Sequence, residues 1–85
     1  MENIAIKEGL SVSPNGFVFD VSTGETFSCN ETGKDIINLL SQKKTTEEII
    51  NYILNSYQTD IFTIERDFYD FISILKQRNL IQIVE

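Results

Sequence analysis

The chain has 85 residues, of which 41% are aliphatic or aromatic, so it can form one small domain around one hydrophobic core. Seven basic and thirteen acidic residues give a formal charge of −6, which disfavours binding to nucleic-acid phosphates and to anionic membranes. The sequence has no His and a single Cys, so we expect no metal site, no cofactor and no intrachain disulfide. It shows neither a membrane-spanning run nor a signal-peptide pattern, which predicts a cytoplasmic protein.

The first third of the chain alternates apolar and polar residues, which is typical of half-buried strands. The alternation covers Ile4 to Val12 as a first strand, resumes at Phe17 as a second, and continues from Glu25 to Ser28 as a third. Pro14-Asn15-Gly16 and Ser22-Thr23-Gly24 are turn sequences between them, and Asn-Gly is a strong hairpin signal. Short turns between consecutive strands predict an antiparallel meander whose third strand lies at an edge.

From residue 30 onwards the apolar residues recur every three and four positions, which indicates three helices. Asn30 is predicted to cap the first helix, and Thr45 with Glu48 has the capping-box spacing for the second. Thr63 is predicted to cap the third helix, and Asn79 suits the left-handed residue that often ends a helix.

Strands followed by helices predict an α+β fold in a single domain spanning residues 1–85. A helical trio beside a small sheet is similar to a winged helix, since the second and third helices have the connection of a helix-turn-helix. The tail from Leu80 to Val84 is predicted to be either a final strand or a docked extended segment.

Several short motifs, in this order and at these spacings, resemble the PqqD-like family of precursor-peptide recognition elements. The resemblance covers roughly residues 10 to 81. It is carried by an apolar strand ending in Asp20, Thr23-Gly24, Phe27, Asn30-Glu31-Thr32-Gly33, Ile36-Ile37-Asn38-Leu39-Leu40, Thr45-Thr46-Glu47-Glu48-Ile49, Asp67-Phe68, Phe71, Leu75 and Leu80-Ile81.

The resemblance implies a non-catalytic adaptor. Family members bind the leader of a ribosomally synthesised precursor peptide and present it to a modifying enzyme of radical-SAM, cyclase or protease type. The leader adds as an antiparallel strand to the third strand and packs against the third helix. The implied partners are therefore a leader peptide and an enzyme, with the adaptor itself a monomer or a weak homodimer.

The residues are compatible with that role. The third strand contains no Pro, Lys or Gly to discourage strand addition, although a short edge strand can also simply be tolerated. The third helix has a wide apolar stripe, in which we expect Phe71 and Leu75 to be core and Tyr69, Ile72 and Phe68 to face a groove, with Lys76 at one end. The predicted peptide-binding residues are Glu25, Thr26, Phe27, Ser28, Cys29, Phe68, Tyr69, Ile72, Leu75 and Lys76.

Other functions receive less support. A DNA-reading third helix would carry Glu65, Asp67 and Asp70, which repel phosphates. An acyl-carrier protein needs an Asp-Ser-Leu attachment site, and the sequence has none. An enzyme subunit with a purely structural role remains an alternative. Asp67 and Asp70 lack the His or metal that catalysis by a solvated pair requires, and Cys29 is expected to be a small buried residue.

Overall fold

The computed structural model describes residues 3–84, which form two small antiparallel sheets and three helices. The predicted α+β fold, with a three-stranded meander ahead of three helices, is confirmed. The elements in chain order are β1 (Asn3–Ile6), β2 (Leu10–Val12), β3 (Phe17–Asp20), β4 (Thr26–Ser28), α1 (Glu31–Ser41), α2 (Thr46–Ser56), α3 (Ile61–Gln77) and β5 (Ile81–Val84).

The meander places β3 between β2 and β4. Val18 at its centre pairs with Val12 on one side and with Phe27 on the other. The predicted Asn-Gly turn joins β2 to β3, and it requires glycine for two reasons. Gly16 has a φ of 87°, and a Cβ on it would lie 2.3 Å from the carbonyl oxygen of Cys29.

The prediction of one strand from Ile4 to Val12 is wrong, because the chain turns at Gly9, where φ is 86°. β1 thereby leaves the meander and pairs with β5, with Ile4 opposite Ile83. Of the two alternatives for the tail, a final strand is correct for Ile81–Val84. The pairing of the tail with β1 keeps it away from β4.

Two of the three predicted helix caps are confirmed. The Asn30 side chain accepts a hydrogen bond from the backbone N–H of Gly33 at 2.8 Å. Thr45 and Glu48 form the complete capping box at the start of α2, with reciprocal bonds of 3.1 and 2.9 Å. Asn79 has a φ of 60° just after α3, as predicted for a left-handed residue.

The third cap was assigned to the wrong residue. α3 begins at Ile61, and Asp60 is its cap, because the Asp60 carboxylate accepts from the backbone N–H of Thr63 at 2.8 Å. Asp and Thr are both good capping residues, so sequence alone did not separate the two positions. The stretch predicted as a connection up to Phe62 is correspondingly shorter.

The hydrophobic core lies between the sheets and the helices. Tyr57, at the end of α2, closes one side by donating its hydroxyl to the Asp35 carboxylate at 2.6 Å, and this bond raises the pKa of Tyr57 to about 12. The buried apolar residues of the core are Ile4, Val18, Ile36, Ile37, Leu40, Ile49, Ile53, Ile64, Phe68, Ile72, Leu75, Leu80 and Ile81.

Within residues 3–84 no helix combines the length and the apolar character that a membrane crossing requires.

A partly buried ion pair joins the β1–β2 turn to the end of β3. The Lys7 ammonium lies 2.7 Å from one carboxylate oxygen of Asp20, whose side chain is almost fully buried. The other oxygen accepts from the hydroxyl and the backbone N–H of Ser22, at 2.8 and 3.0 Å. The bonds from Lys7 and Ser22 hold the pKa of Asp20 far below its usual range. The pair therefore fixes the turn that leads into β4.

We expect Asp20→Asn to destabilise the fold at neutral pH, because it leaves the Lys7 ammonium without its carboxylate partner. In the unfolded chain Asp20 should titrate near the ordinary value of about 3.9. The pKa of Asp20 is lower in the native state than in the unfolded chain. The stabilising contribution of the carboxylate is therefore complete at pH values above the unfolded-state pKa, and it is lost as the pH falls below the unfolded-state pKa. Urea unfolding midpoints of wild type and variant should differ at about pH 7 and converge towards about pH 2.

The matched control is Glu31→Gln, which removes the 3.0 Å pair between Lys34 and the solvent-exposed Glu31 carboxylate. Exposed pairs contribute little, so this variant should unfold at nearly the wild-type urea concentration. A difference between wild type and Asp20→Asn that stays constant over the whole pH range would contradict the assigned role of the ion pair.

Candidate functional site

The outer margin of β4 is an open sheet edge. Within residues 3–84, β4 pairs with β3 alone. The backbone N–H of Asp20 donates to the carbonyl of Glu25 at 2.9 Å, which fixes the phase of the ladder. Because bonded and non-bonded pairs alternate in antiparallel sheets, Phe27 turns its backbone groups towards β3, whereas Thr26 and Ser28 turn theirs outward. The edge therefore offers two N–H donors and two carbonyl acceptors.

The C-terminal end of α3 flanks one end of β4. The Arg78 guanidinium carbon lies 4.9 Å from the centre of the Phe27 ring, in a cation–π arrangement. A small recess of about 180 Å³ opens beside this contact and is lined in part by Glu25, Phe27 and Arg78. A side chain entering there would meet an aromatic ring, the positive charge of Arg78 and the negative charge of Glu25.

The middle of α3 flanks the other end of β4. A Cβ on Gly33 would lie 2.9 Å from Cβ of Cys29 and 3.1 Å from the Phe71 ring, so these groups are close neighbours. Ile74 lies on the same helix face as Phe71, three residues on, and it is 47% exposed. We call the surface between the outer margin of β4 and the side chains of Phe71, Ile74 and Arg78 the β4–α3 groove.

Two phenylalanines cover the opposite, outer face of the same sheet. Val18 points into the core, so its neighbours Phe17 and Phe19 point outward, and they are 58% and 43% exposed. Phe19 is paired with Thr26 and Phe17 with Ser28. An additional strand on β4 would thus have apolar surface beside it on both faces of the sheet.

The predicted peptide-binding residues fall into two groups in the structure, one at the edge of β4 and one on α3. Glu25, Thr26, Phe27, Ser28 and Cys29 form β4 and its two flanking positions, all at the open edge. Their role in peptide binding stays a prediction.

The predicted orientation of Phe68 and Ile72 towards a groove is wrong. Phe68 is 1% exposed, and Ile72 and Leu75 are also buried, because they face the core from α3. Leu75 was predicted both as a core residue and as a peptide-binding residue. Its burial agrees with the first prediction and conflicts with the second.

Tyr69 and Lys76 lie on the flank of α3 that faces away from β4. Tyr69 is 45% exposed and lines a recess of about 440 Å³ beside Ile50 and Glu47 of α2. Its ring also packs edge-on against Phe68, with ring centres 5.2 Å apart. The structure therefore does not bring either residue to the β4–α3 groove.

The residues that do line the groove were assigned otherwise from the sequence. Phe71 was expected in the core but is half-buried, and neither Ile74 nor Arg78 was among the predicted peptide-binding residues. The signal was present in their spacing of three and four residues, which puts them on one helix face. The sequence did not indicate that β4 lies beside that face of α3.

Cys29 sits where β4 passes into α1. Its thiol donates to the Gly16 carbonyl at 3.5 Å, and burial raises the pKa of Cys29. Among residues 3–84, no three acidic or Cys side chains lie close enough together to hold a metal ion. The chemistry that the site offers is hydrogen bonding and apolar contact.

Comparisons with known proteins identify related sequences and folds. The sequence profile of the family described as coenzyme PQQ synthesis protein D (PqqD) matches residues 15–81. A solved structure described as "TbiB1 in Complex with the TbiA(beta) Leader Peptide" is 30% identical, covers 92% of this chain and 94% of its own, and superposes with a TM-score of 0.78.

A second solved structure shows the same fold at lower sequence identity. It is described as "Lasso peptide synthetase B1 complexed with the leader peptide", is 19% identical, covers 94% of this chain and 98% of its own, and has a TM-score of 0.77. No curated protein sequence is significantly similar to the chain.

We expect Cys29 to react slowly with thiol reagents, because the thiolate is the reactive species and burial keeps the thiol protonated. Alkylation by iodoacetamide at about pH 8, followed by mass spectrometry, should proceed much faster in urea than in buffer. Free cysteine, as a control, should react at a similar rate in both. Equal rates for the folded and the unfolded protein would contradict a protected thiol.

Proposed function

This chain belongs to the PqqD family, and we propose that it is a non-catalytic adaptor that captures the leader of a ribosomally synthesised precursor peptide on the open edge of β4 and presents it to a modifying enzyme. The observation that carries the proposal is the outer margin of β4, which is paired with no strand within residues 3–84 and lies beside an α3 face with the exposed apolar residue Ile74. The 30% identical protein solved with a leader peptide supports the choice of ligand.

The main-chain groups at the open edge of β4 position the leader. An extended leader strand can exchange hydrogen bonds with the N–H and carbonyl groups of Thr26 and Ser28. Each such bond contributes only about 0.5–1.5 kcal/mol net, because the groups were hydrated before binding. These bonds fix the direction and the register of the leader but do not distinguish one leader sequence from another.

Side-chain contacts supply the selectivity. Successive residues of a bound strand point to opposite faces. One set would enter the β4–α3 groove and contact Phe71 and Ile74, and the other would lie on the outer face beside Phe17 and Phe19. An acidic leader residue at the groove end would meet Arg78. The best leader is therefore apolar on both faces of its strand, with a carboxylate that approaches Arg78 and stays clear of Glu25 at the groove end.

The adaptor acts by raising the effective concentration of the precursor peptide at the modifying enzyme. A leader held on the adaptor keeps the rest of the precursor close to the bound enzyme, so the modification step becomes effectively intramolecular. Ordering a flexible leader costs free energy, and we therefore expect a dissociation constant on the order of 10⁻⁸ to 10⁻⁵ M. In this scheme the enzyme provides all of the catalytic groups.

The first test removes one edge donor. Thr26→Pro deletes an N–H that points outward and leaves the ladder between β3 and β4 intact, which is the position in an edge strand that tolerates Pro. Fluorescence-polarisation titration with the labelled leader of a precursor peptide that wild type binds should show about tenfold weaker binding, from the lost bond and the obstructing ring.

The matched control for that test is Thr26→Ala, which keeps the donor and should bind within about twofold of wild type. Thermal unfolding of both variants should stay close to that of the wild type. Unchanged affinity of a folded Thr26→Pro protein would rule out strand addition at β4.

The second test compares two residues of α3 that are equally exposed. Ile74→Ser removes apolar surface from the groove, whereas Tyr69→Ser removes it from the opposite flank, and their side chains are 47% and 45% exposed. Loss of about 1.5 kcal/mol of burial corresponds to roughly tenfold weaker leader binding for Ile74→Ser. Tyr69→Ser should bind like the wild type in the same titration, and the reverse ranking would place the leader on the other side of α3.

A further inference from the structure

A sizeable cavity lies away from the β4–α3 groove, among the residues that the structure describes. Its volume is about 720 Å³, within the range of about 300–1,000 Å³ that is usual for ligand pockets. One wall is the whole of β1 together with the bend at Gly9 and Leu10. The other wall is the end of α1 and the turn that follows it, with Leu40, Lys43 and Lys44. We call this space the β1 cavity.

The wall formed by β1 is a second open sheet edge. The backbone N–H of Lys7 donates to the carbonyl of Leu80 at 2.8 Å, so the ladder to β5 uses every second residue counted back from Lys7. Ala5 therefore bonds to β5, whereas Ile4 and Ile6 turn their backbone groups to the other side. Within residues 3–84 no strand pairs with that side of β1.

The opposite wall carries positive charge in an acidic protein. Lys43 and Lys44 line the cavity and form no salt bridge with any residue between 3 and 84. A third lining lysine, Lys7, is already paired with Asp20, and Glu8 is the acidic residue of the lining. With Lys7 neutralised, the lining residues carry two positive charges against one negative charge, and the neighbouring Glu48 interacts electrostatically with Lys44. The lining is therefore positive on balance, although the whole chain has a formal charge of −6.

We infer that the β1 cavity is a docking site for an extended acidic segment of a partner protein, separate from the leader site. The segment would add as an antiparallel or parallel strand to the open edge of β1 and bond to the backbone groups of Ile4 and Ile6. Its carboxylates would pair with Lys43 and Lys44. A basic segment is disfavoured, because it would place like charges against both lysines. In this proposal β1 and β4 accept strands on two different sheets, with different side-chain requirements.

The test uses two synthetic hexapeptides that alternate valine with glutamate or valine with lysine. Hydrogen exchange of individual amides, followed by NMR, should show protection of Ile4 and Ile6 by the glutamate peptide, with little change at Thr26 and Ser28. The lysine peptide should bind at least tenfold more weakly in the same titration, and salt at about 0.5 M should weaken the glutamate peptide.

Charge-reversal variants make the test specific. Lys43→Glu with Lys44→Glu should reduce binding of the glutamate peptide about tenfold or more, whereas Lys76→Glu, which reverses an exposed lysine outside the cavity, should have little effect. Leader binding should be the same in all of these proteins, so failure here and failure of the leader proposal are distinguishable.

Three results with the synthetic peptides would overturn the inference. They are the absence of protection at Ile4 and Ile6, equal binding of the two peptides, and protection confined to Thr26 and Ser28. Protection of Ile4 and Ile6 by the leader peptide itself would also overturn it, because the cavity would then belong to leader recognition.

Discussion

The pairing of β1 with β5 is the constraint on which the open edge of β4 depends. The C-terminal tail is apolar and extended, and it could have covered any of the strand edges in this small fold. Its ladder with β1, anchored by the bond from Lys7 to Leu80, commits it to a separate two-stranded sheet. The meander is left with β4 at its margin, and the unpaired groups of Thr26 and Ser28 become available to another chain.

Specific contacts hold both ends of β4, which would favour the proposed recognition of an extended peptide. At one end the Lys7–Asp20 pair and the bonds from Ser22 hold the turn before β4. At the other end Gly16 and Gly33 have no side chain, and Cys29 therefore packs closely against both of them. A preorganised edge loses little conformational entropy when a strand adds to it, so most of the ordering cost falls on the flexible leader.

Much of this architecture could be predicted from local signals in the sequence. The Asn-Gly turn, the Asn30 cap and the Thr45–Glu48 capping box each depend on residues a few positions apart, and each is confirmed. The direction in which α3 presents its stripe depends on distant neighbours, so the residues facing β4 were assigned incorrectly. Periodicity showed that the stripe is wide, but it did not show that Phe68 faces the core while Phe71 and Ile74 face β4.

The most direct measurement of the central claim is amide hydrogen exchange of the protein with and without a saturating leader peptide, resolved residue by residue. Strand addition at β4 predicts that the amides of Thr26 and Ser28 become strongly protected on binding, while that of Phe27, already bonded to β3, changes little. Tight leader binding that leaves Thr26 and Ser28 exchanging at their original rates would contradict the account.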